Sequence, residues 1–213
     1  MEFQYPRAMH ELMEHLKNLP GVGRRTAERM ALEVYHWEHS RTADLAEVLR
    51  TLHERVGTCR ECGNLADADA PDGSGLCMIC SSPARDRTSV CIVEDSSRIR
   101  VIEAAGVFHG VYHVLGGRIA PLEGKTADQL SIPALCERIG RNGVREVILA
   151  LSPDVEGQAT SIYIARLLKK MDLRVSRLAR GLPAGSDLSY ADPATIAIAL
   201  NARVGLDEGS SEP

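Results

Sequence analysis

Two Cys-x-x-Cys pairs restrict what this chain can fold into more than any other feature of the sequence. Cys59 and Cys62 form the first pair, Cys77 and Cys80 form the second, and residues 63–76 lie between them. Four thiolates with this spacing can surround one Zn²⁺ ion tetrahedrally, at Zn–S distances of about 2.3 Å. Because four cysteine ligands leave no position open for water, the sequence predicts one structural zinc ion per chain.

The segment between the two pairs explains why a metal would be needed there. It is rich in the turn-forming residues Asp and Gly and carries few large apolar side chains, so a hydrophobic core cannot hold it together. Two disulfides are the alternative. We expect reduced thiols instead, since the chain has neither a recognisable secretory leader nor an apolar run long enough to span a membrane, and is therefore predicted to be cytoplasmic.

Composition argues against a protein that coats nucleic acid along its whole surface. The 29 Asp and Glu residues outnumber the 25 Lys and Arg residues, which gives a net charge of −4. Two Phe and one Trp also offer few rings on which single-stranded bases could stack. Any contact with DNA is therefore expected to be local.

The first part of the chain is predicted to be helical. Apolar residues recur at helical spacing over residues 8–17, again up to residue 36, and a third time over residues 43–56. The sequence Leu-Pro-Gly-Val-Gly at residues 19–23 interrupts the pattern and predicts a tight turn between the first two helices.

This turn is the predicted DNA site. Gly21 and Gly23 allow the backbone to approach a phosphate closely, and the helix that follows offers unpaired N-terminal amides. Lys17, Arg24 and Arg25 add positive charge, so the hairpin is predicted to bind the DNA backbone independently of base sequence. An ordinary glycine turn with solvated arginines is the alternative.

Strands and helices alternate in the second half of the chain. Strands are predicted near residues 90–93, 110–115, 145–151 and 173–178, and helices at 132–141 and 158–171. This alternation favours a parallel sheet covered by helices. Asp192 and Pro193 predict the start of another helix that runs to about residue 202, and residues 207–213 are predicted to be disordered.

Acidic residues follow two of the predicted strands. Glu94 comes directly after the first strand, and Asp154 and Glu156 follow the third. The carboxyl ends of parallel strands form a crevice where ligands bind, so these carboxylates are candidate Mg²⁺ ligands. Stabilisation of the N-terminus of the next helix is the alternative role for Asp154 and Glu156.

Together and in this order, these segments resemble the RecR family of bacterial recombination mediators, over about residues 8–203. Besides the hairpin and the cysteines, the resemblance rests on Tyr-His-Val-Leu-Gly-Gly at 112–117, Glu-Gly-Gln-Ala-Thr at 156–160, Ala-Arg-Gly-Leu-Pro at 179–183 and Tyr-Ala-Asp at 190–192. It implies an α+β chain of several domains. These are a helix-hairpin-helix region (1–57), a four-cysteine zinc finger (58–81), an α/β Toprim domain with a central parallel sheet (88–183) and a C-terminal segment with a helix and a disordered tail (184–213).

The resemblance also bears on catalysis. Toprim domains of topoisomerases and primases carry a strand-end Glu and an Asp-x-Asp-x-x-Gly motif for metal-assisted chemistry. Glu94 matches the first feature, but Ser152 stands where the first Asp of the motif would be. A hydroxyl is a poor Mg²⁺ ligand compared with a carboxylate. We therefore expect weak Mg²⁺ binding at most and interpret the domain as a scaffold rather than an enzyme.

What the family does is the expected function. The resemblance implies a DNA-binding protein of recombinational repair that acts with RecO and RecF and helps RecA replace single-strand-binding protein at DNA gaps. It further implies a homodimer or a ring-like tetramer with no membrane association. One alternative is a small metal-dependent Toprim nuclease or primase-like enzyme that uses Glu94, Asp154 and Glu156. The other is a structural adaptor that contacts proteins but not DNA.

Overall fold

The computed structural model describes residues 5–70, 73–179, 181, 182, 185 and 187–203. The chain divides into two compact units, residues 1–57 and residues 58–213. The tail predicted to be disordered, residues 207–213, lies outside the described residues, as do Arg180 and Pro183 of the motif at 179–183.

The first unit is helical, as the apolar periodicity predicts. It contains α1 (Arg7–Lys17), α2 (Arg24–Tyr35) and α3 (His39–Arg55). α3 begins earlier than the predicted residue 43, because its first turn is polar and carries no apolar period. α1 packs against α2, where the small residues Ala27 and Ala31 are fully buried and allow a close approach.

Three short elements lie close to the two cysteine pairs in the chain. β1 (Val56–Thr58) and β2 (Leu65–Asp67) form a two-stranded sheet, and α4 (Met78–Ser81) starts inside the second cysteine pair. None of these three elements was predicted, because each is only three or four residues long and too short for a periodic pattern.

The main sheet of the second unit is parallel and has four strands. In spatial order they are β4 (Gly110–Val114), β3 (Asp86–Val93), β5 (Glu146–Leu149) and β6 (Arg174–Arg177). The helices that connect or follow the strands are α5 (Ser96–Ala104), α6 (Ile132–Asn142), α7 (Val155–Leu168) and α8 (Pro193–Asn201). Asp192 caps α8 by accepting hydrogen bonds from the Ala194 and Thr195 amides, in agreement with the predicted helix start.

In the second unit, one helix was not predicted and two elements start earlier than the sequence indicates. α5 was not predicted, because only Ile99 of this helix is buried and polar residues surround it. β3 starts at Asp86 rather than near residue 90, since its first half is polar and exposed or half-buried. α7 begins at Val155 rather than at residue 158, because the Asp154 side chain accepts a hydrogen bond from the Gly157 amide and caps the helix there.

Each face of the sheet has its own apolar cluster. Alternating residues of β3 point to opposite faces, so Val90 and Ile92 join one cluster and Cys91 and Val93 join the other. The first cluster includes buried residues of α6 and α7. The second includes Ile99 of α5 and all four cysteines of the two pairs, so the cysteine region covers part of this face.

None of the described helices combines the length and the apolar character that a membrane crossing requires.

Candidate functional site

The structure brings together the four cysteines predicted as metal ligands. Their Sγ atoms all lie within 4.8 Å of one another, and all four residues are buried. The Sγ atoms of Cys62 and Cys77 are 3.6 Å apart. Sulfur atoms bound tetrahedrally to one Zn²⁺ ion are about 3.8 Å apart, so this arrangement fits a single metal ion closed off from water. We call these residues, Cys59, Cys62, Cys77 and Cys80, the cysteine cluster.

Backbone turns position the cysteine cluster. The Cys59 amide donates to the Asn64 carbonyl at 2.7 Å, and the Gly63 amide donates to the Cys59 carbonyl at 2.8 Å. The Asn64 amide in turn donates to Cys62 Sγ at 3.4 Å. Gly63 has φ of +75°, where a side chain would be strained and its Cβ would lie 3.3 Å from the Val114 carbonyl oxygen. In the second pair, Cys77 is the N-cap of α4.

Hydrogen bonds between the thiols separate their pKa values. Bonds from the thiols of Cys62 and Cys80, together with nearby amides, lower the pKa of Cys77, whereas the same contact with Cys77 raises the pKa of Cys62. The hydrogen bond with Cys62 lowers the pKa of Cys80, but the bond with Cys77 and burial outweigh it and raise that pKa to about 12. Metal binding must therefore release protons, because zinc takes thiolates.

Contacts with the main sheet anchor the cysteine cluster. The Val114 amide of β4 donates to the Cys62 carbonyl at 2.7 Å. Glu61, inside the first pair, lies 3.1 Å from Nε of Arg138 and accepts a hydrogen bond from Asn142 of α6 at 2.7 Å. Arg138 is only 2% exposed. Sequence reasoning missed this buried ion pair, although an arginine on the apolar stripe of α6, beside Leu135 and Ile139, was a usable signal.

The second candidate site lies at the carboxyl ends of β3 and β5. These two strands are neighbours in the sheet, whereas β4, which follows β3 in the chain, lies on the other side of β3. The connections that leave the two strands therefore run in opposite directions along the sheet, and ligands of open α/β sheets bind at such points. Glu94, Asp154 and Glu156, which we call the acidic crevice, follow the two strands. Glu94 is buried, and its carboxylate accepts the Ser152 amide at 2.7 Å and the Ser152 hydroxyl at 3.0 Å. The Ser152 hydroxyl thus donates to Glu94, a contact that an ionised aspartate side chain there could not make.

Asp154 and Glu156 already have partners inside the protein. The Asp154 carboxylate accepts the Gly157 amide at 2.8 Å and so caps α7, and a Cβ at Gly157 would lie 2.1 Å from the Ser152 carbonyl oxygen. One guanidinium, that of Arg118, contacts both carboxylates: Nη1 contacts Asp154, and Nε lies 2.7 Å from Glu156. Sequence reasoning missed Arg118, whose only signal is its place directly after Gly-Gly at the end of a strand.

The acidic crevice does not fit Mg²⁺ as it stands. Among the described residues, the four cysteines are the only group of three or more His, Cys, Asp or Glu residues whose ligand atoms converge within 4.8 Å. Desolvation lowers the pKa of Arg118, but the carboxylates of Asp154, Glu156, Glu94 and Glu123 outweigh this effect and raise it above its ordinary value. The guanidinium therefore stays charged where a metal ion would need the same oxygens.

The predicted hairpin lies between α1 and α2. Gly21 has φ of +77°, which turns the chain, and Gly23 is the N-cap of α2 without a side chain to bond the first amides. Arg24 and Arg25 are exposed and form no ion pair with any described residue, whereas Lys17 contacts both carboxylate oxygens of Glu14 at 2.9 Å. The positive charge therefore resides mainly at the start of α2. Arg29, one turn beyond Arg25, is also exposed and was not predicted.

Family models match most of the chain. A model described as "RecR, helix-hairpin-helix" matches residues 9–53, one described as "Toprim domain" matches residues 88–179, and one described as "RecR, C-terminal" matches residues 181–204. Together with the parallel sheet and the cysteine cluster, they confirm the predicted fold class: an α+β chain with a helix-hairpin-helix region, a four-cysteine region, a Toprim domain and a C-terminal helix.

Curated proteins named "Recombination protein RecR" align with nearly the whole chain. The protein from Acidothermus cellulolyticus is 43% identical over 203 residues, which cover 95% of this chain and 99% of the relative. The protein from Myxococcus xanthus is 43% identical over 198 residues (93% and 98%), and that from Synechococcus elongatus is 42% identical over 199 residues (93% and 96%). The chain belongs to the RecR family of recombination proteins.

Proposed function

We propose that the protein is a DNA-binding recombination mediator of recombinational DNA repair and has no catalytic activity of its own. It acts with RecO and RecF to help load RecA on single-stranded DNA gaps coated by single-strand-binding protein. The observation that carries the proposal is the start of α2: its first amides have no capping side chain, and two exposed arginines without ion-pair partners stand beside them. This segment lies within the residues matched by the RecR helix-hairpin-helix model.

The hairpin chemistry suits phosphate rather than bases. Free amides at a helix N-terminus and the positive end of the helix dipole attract an anion, and Arg24 and Arg25 add charge-assisted hydrogen bonds. Such contacts read the backbone and carry no base information. Lys17, Gly21 and Gly23 complete the proposed DNA site, with Lys17 in the lesser role because Glu14 already neutralises it.

The Toprim domain is proposed to be a docking scaffold. Ser152 and Arg118 satisfy the carboxylates that a metal-dependent enzyme would use, which supports a non-catalytic role. Glu94, Asp154 and Glu156 still carry more negative charge than Arg118 can balance, so the surface favours a basic partner, which we propose to be RecO. Glu156→Lys should weaken RecO binding in a pull-down or by calorimetry, with unchanged zinc content. Unaltered RecO affinity in that variant would move the docking site elsewhere.

Oligomer formation is proposed from the exposed apolar stripe of α3. None of the residues His39–Arg55, all of which are described, is buried. Leu45, Val48, Leu49 and Leu52 follow one another at helical spacing and are 41–61% exposed. A second copy of the chain would cover this face in a homodimer or in the ring-like tetramer, which light scattering measures directly.

The cysteine cluster is proposed to hold structural Zn²⁺, and the protein is proposed to act in the cytoplasm. Cysteine sulfur in a closed four-ligand site is the donor set that zinc prefers. All six cysteines are free of disulfides, which suits a reducing compartment.

The test of the proposed function is charge reversal at the start of α2, by Arg24→Glu with Arg25→Glu. The matched control is Arg100→Glu with Arg141→Glu, two exposed arginines of the second unit that form no ion pair with a described residue. Binding to labelled single-stranded and gapped DNA is measured by fluorescence anisotropy at several salt concentrations. We expect a loss of at least about tenfold and a salt slope shallower by about 2, because two phosphate contacts are lost.

Two results would contradict the proposal. An equal loss in the control variant would mean that net charge, and not the hairpin, determines DNA binding. Cleavage of gapped or supercoiled DNA by the native protein with Mg²⁺ or Mn²⁺, abolished by Glu94→Gln, would establish the enzyme that the proposal rejects.

A further inference from the structure

The turn between α2 and α3 concentrates aromatic side chains at the surface of the first unit. Tyr35 is the last residue of α2, Trp37 follows two residues later, and Arg41 lies in the first turn of α3. We propose that these three residues, which we call the aromatic corner, stack an unpaired DNA base and so distinguish single-stranded from double-stranded DNA. The inference deepens the proposed function and rests on it, because the hairpin contacts only phosphates, which both forms of DNA carry.

Tyr35 presents an aromatic ring to solvent. The residue is 72% exposed. Its ring meets the ring of His36 edge to face, with the centroids 5.4 Å apart and the planes at 67°. This contact covers at most one face of the tyrosine ring, so the other face is open to a base. Every base has a flat face of its own, and a stack on this ring therefore does not depend on sequence.

Trp37 and Arg41 form the second part of the aromatic corner. The guanidinium carbon of Arg41 lies 3.8 Å from the centroid of the Trp37 ring. The indole Nε1 donates a hydrogen bond to Glu33 at 3.3 Å, which holds the ring against α2 and engages the nearest acidic side chain. Arg41 is exposed and forms no ion pair with a described residue. A guanidinium in this position can stack on a base or bond a phosphate.

A line of basic side chains connects the hairpin to the aromatic corner. Arg25, Arg29 and His36, the C-cap of α2, follow one another at intervals of four and seven residues, which places them on one face of the helix. Arg25 and Arg29 are exposed and have no ion-pair partner among the described residues. α2 has 12 residues and is about 18 Å long, so one DNA strand could follow this face from end to end. This charge pattern favours a nucleic acid, rather than a protein, as the occupant of the corner.

The state of the base decides which DNA the aromatic corner can bind. In a duplex every base is paired and stacked between its neighbours, and an aromatic side chain reaches it only if the stack is opened at a cost. Bases of a single strand can be splayed out and stacked on aromatic rings. A duplex is therefore held by the hairpin phosphates alone, whereas a single strand gains the aromatic corner as well.

Trp37 is the only tryptophan in the chain, so its fluorescence reports directly on the aromatic corner. The full-length protein is titrated with a thymidine oligonucleotide, an abasic strand of the same length, and a duplex. We expect the thymidine strand to quench Trp37 and the other two to bind without this quenching, because they offer phosphates but no free base.

Affinities of the same three DNAs are measured by anisotropy of a fluorescein label. Tyr35→Ala should weaken binding of the thymidine strand about fivefold or more and leave the abasic strand and the duplex unchanged. Tyr35→Phe keeps the ring and should bind like the native protein. The matched control is Tyr190→Ala, at an exposed tyrosine of the second unit, and it should change none of the three affinities.

Melting temperature and light scattering establish that each variant is folded and has the native size. Equal affinity of the native protein and Tyr35→Ala for the thymidine strand overturns the inference, and so does equal quenching by the abasic strand. A smaller oligomer in Tyr35→Ala also overturns it, because the ring would then serve a contact between copies of the chain. Failure of the native protein to bind any of the three DNAs refutes the proposed function. Equal binding of all three that still requires Arg24 and Arg25 refutes only the aromatic corner.

Discussion

The cysteine cluster and the acidic crevice are two groups of potential metal ligands in one folded unit, and only the first is arranged to hold an ion. The four Sγ atoms converge within 4.8 Å, and the partners of the thiols are other thiols and backbone amides. In the crevice, each carboxylate already has a partner. Ser152 donates a hydrogen bond to Glu94, and the Gly157 amide of α7 donates one to Asp154. Arg118 forms ion pairs with both Asp154 and Glu156. A set of ligand residues becomes a metal site only when the fold keeps their lone pairs free and directs them to one common point.

The chemistry of the two ligand types explains the difference. A thiol can be buried as a neutral group and gives up its proton when a metal arrives, so the cysteines need no cation in the apo protein. A carboxylate at neutral pH is charged and must have a donor or a cation if it is not fully solvated. The crevice therefore acquires internal partners, and those partners then exclude a metal.

The largest effect is expected from removing two ligands of the cysteine cluster. Cys59→Ser with Cys77→Ser should prevent folding of the second unit, because a structural zinc ion contributes about 10–16 kcal/mol, as much as the whole stability of a typical domain. Metal analysis should find one zinc per native chain, and calorimetry should show no cooperative transition of this unit in the variant. Cys136→Ser, at a half-buried cysteine outside the cluster, is the matched control and should fold. Unchanged melting of the double variant would show that the cysteine cluster is not a structural metal site.

The next effect concerns the ion pair that ties the cysteine cluster to α6. Glu61→Gln leaves the buried guanidinium of Arg138 without its counter-charge and should cost about 3 kcal/mol in urea unfolding. Adding Arg138→Met, which removes the stranded charge, should restore part of the loss. The exposed pair Glu123–Lys125 is the control, and Glu123→Gln should change stability by less than about 1 kcal/mol. Equal costs at Glu61 and Glu123 would show that burial of Arg138 is unimportant.

Ser152→Asp tests whether a carboxylate at this position would make the acidic crevice bind Mg²⁺. The change removes the hydroxyl donor to Glu94 and sets two carboxylates side by side, so we expect a loss of about 1–3 kcal/mol at neutral pH. The loss should shrink at lower pH, where one of the two carboxylates takes up a proton. Ser152→Ala, which loses only the hydrogen bond, should cost about 1 kcal/mol. A Ser152→Asp protein that Mg²⁺ makes more stable than the native one would contradict our interpretation.

The smallest effect separates the two roles of Asp154. Asp154→Ala removes the cap of α7 and should lower stability by about 1 kcal/mol, whereas Asp154→Asn keeps a capping oxygen and should cost less. Chemical denaturation of the two variants measures the difference. Equal losses would assign the effect to the ion pair with Arg118 instead of the cap.

Several elements were predictable from local patterns, and others were not. The 3.6-residue period located α1 and α2, and Asp192-Pro193 marked the start of α8, because caps and apolar stripes are written in neighbouring residues. α5 escaped prediction since only Ile99 of it is buried. Arg138 escaped because its partner, Glu61, is far away in the chain and is brought near only by folding.

The sequence by itself determined the cysteine cluster, the glycine hairpin and the alternation that leads to a parallel sheet. Each is encoded by residue type at short spacing, which local chemistry is sufficient to interpret. Only the tertiary structure decided what the acidic residues do. Glu94 and Ser152 meet because β3 and β5 are neighbours in the sheet, and Arg118 reaches Asp154 and Glu156 from the loop that follows β4. Whether a carboxylate is a free ligand depends on such long-range partners, and no pattern of neighbouring residues contains them.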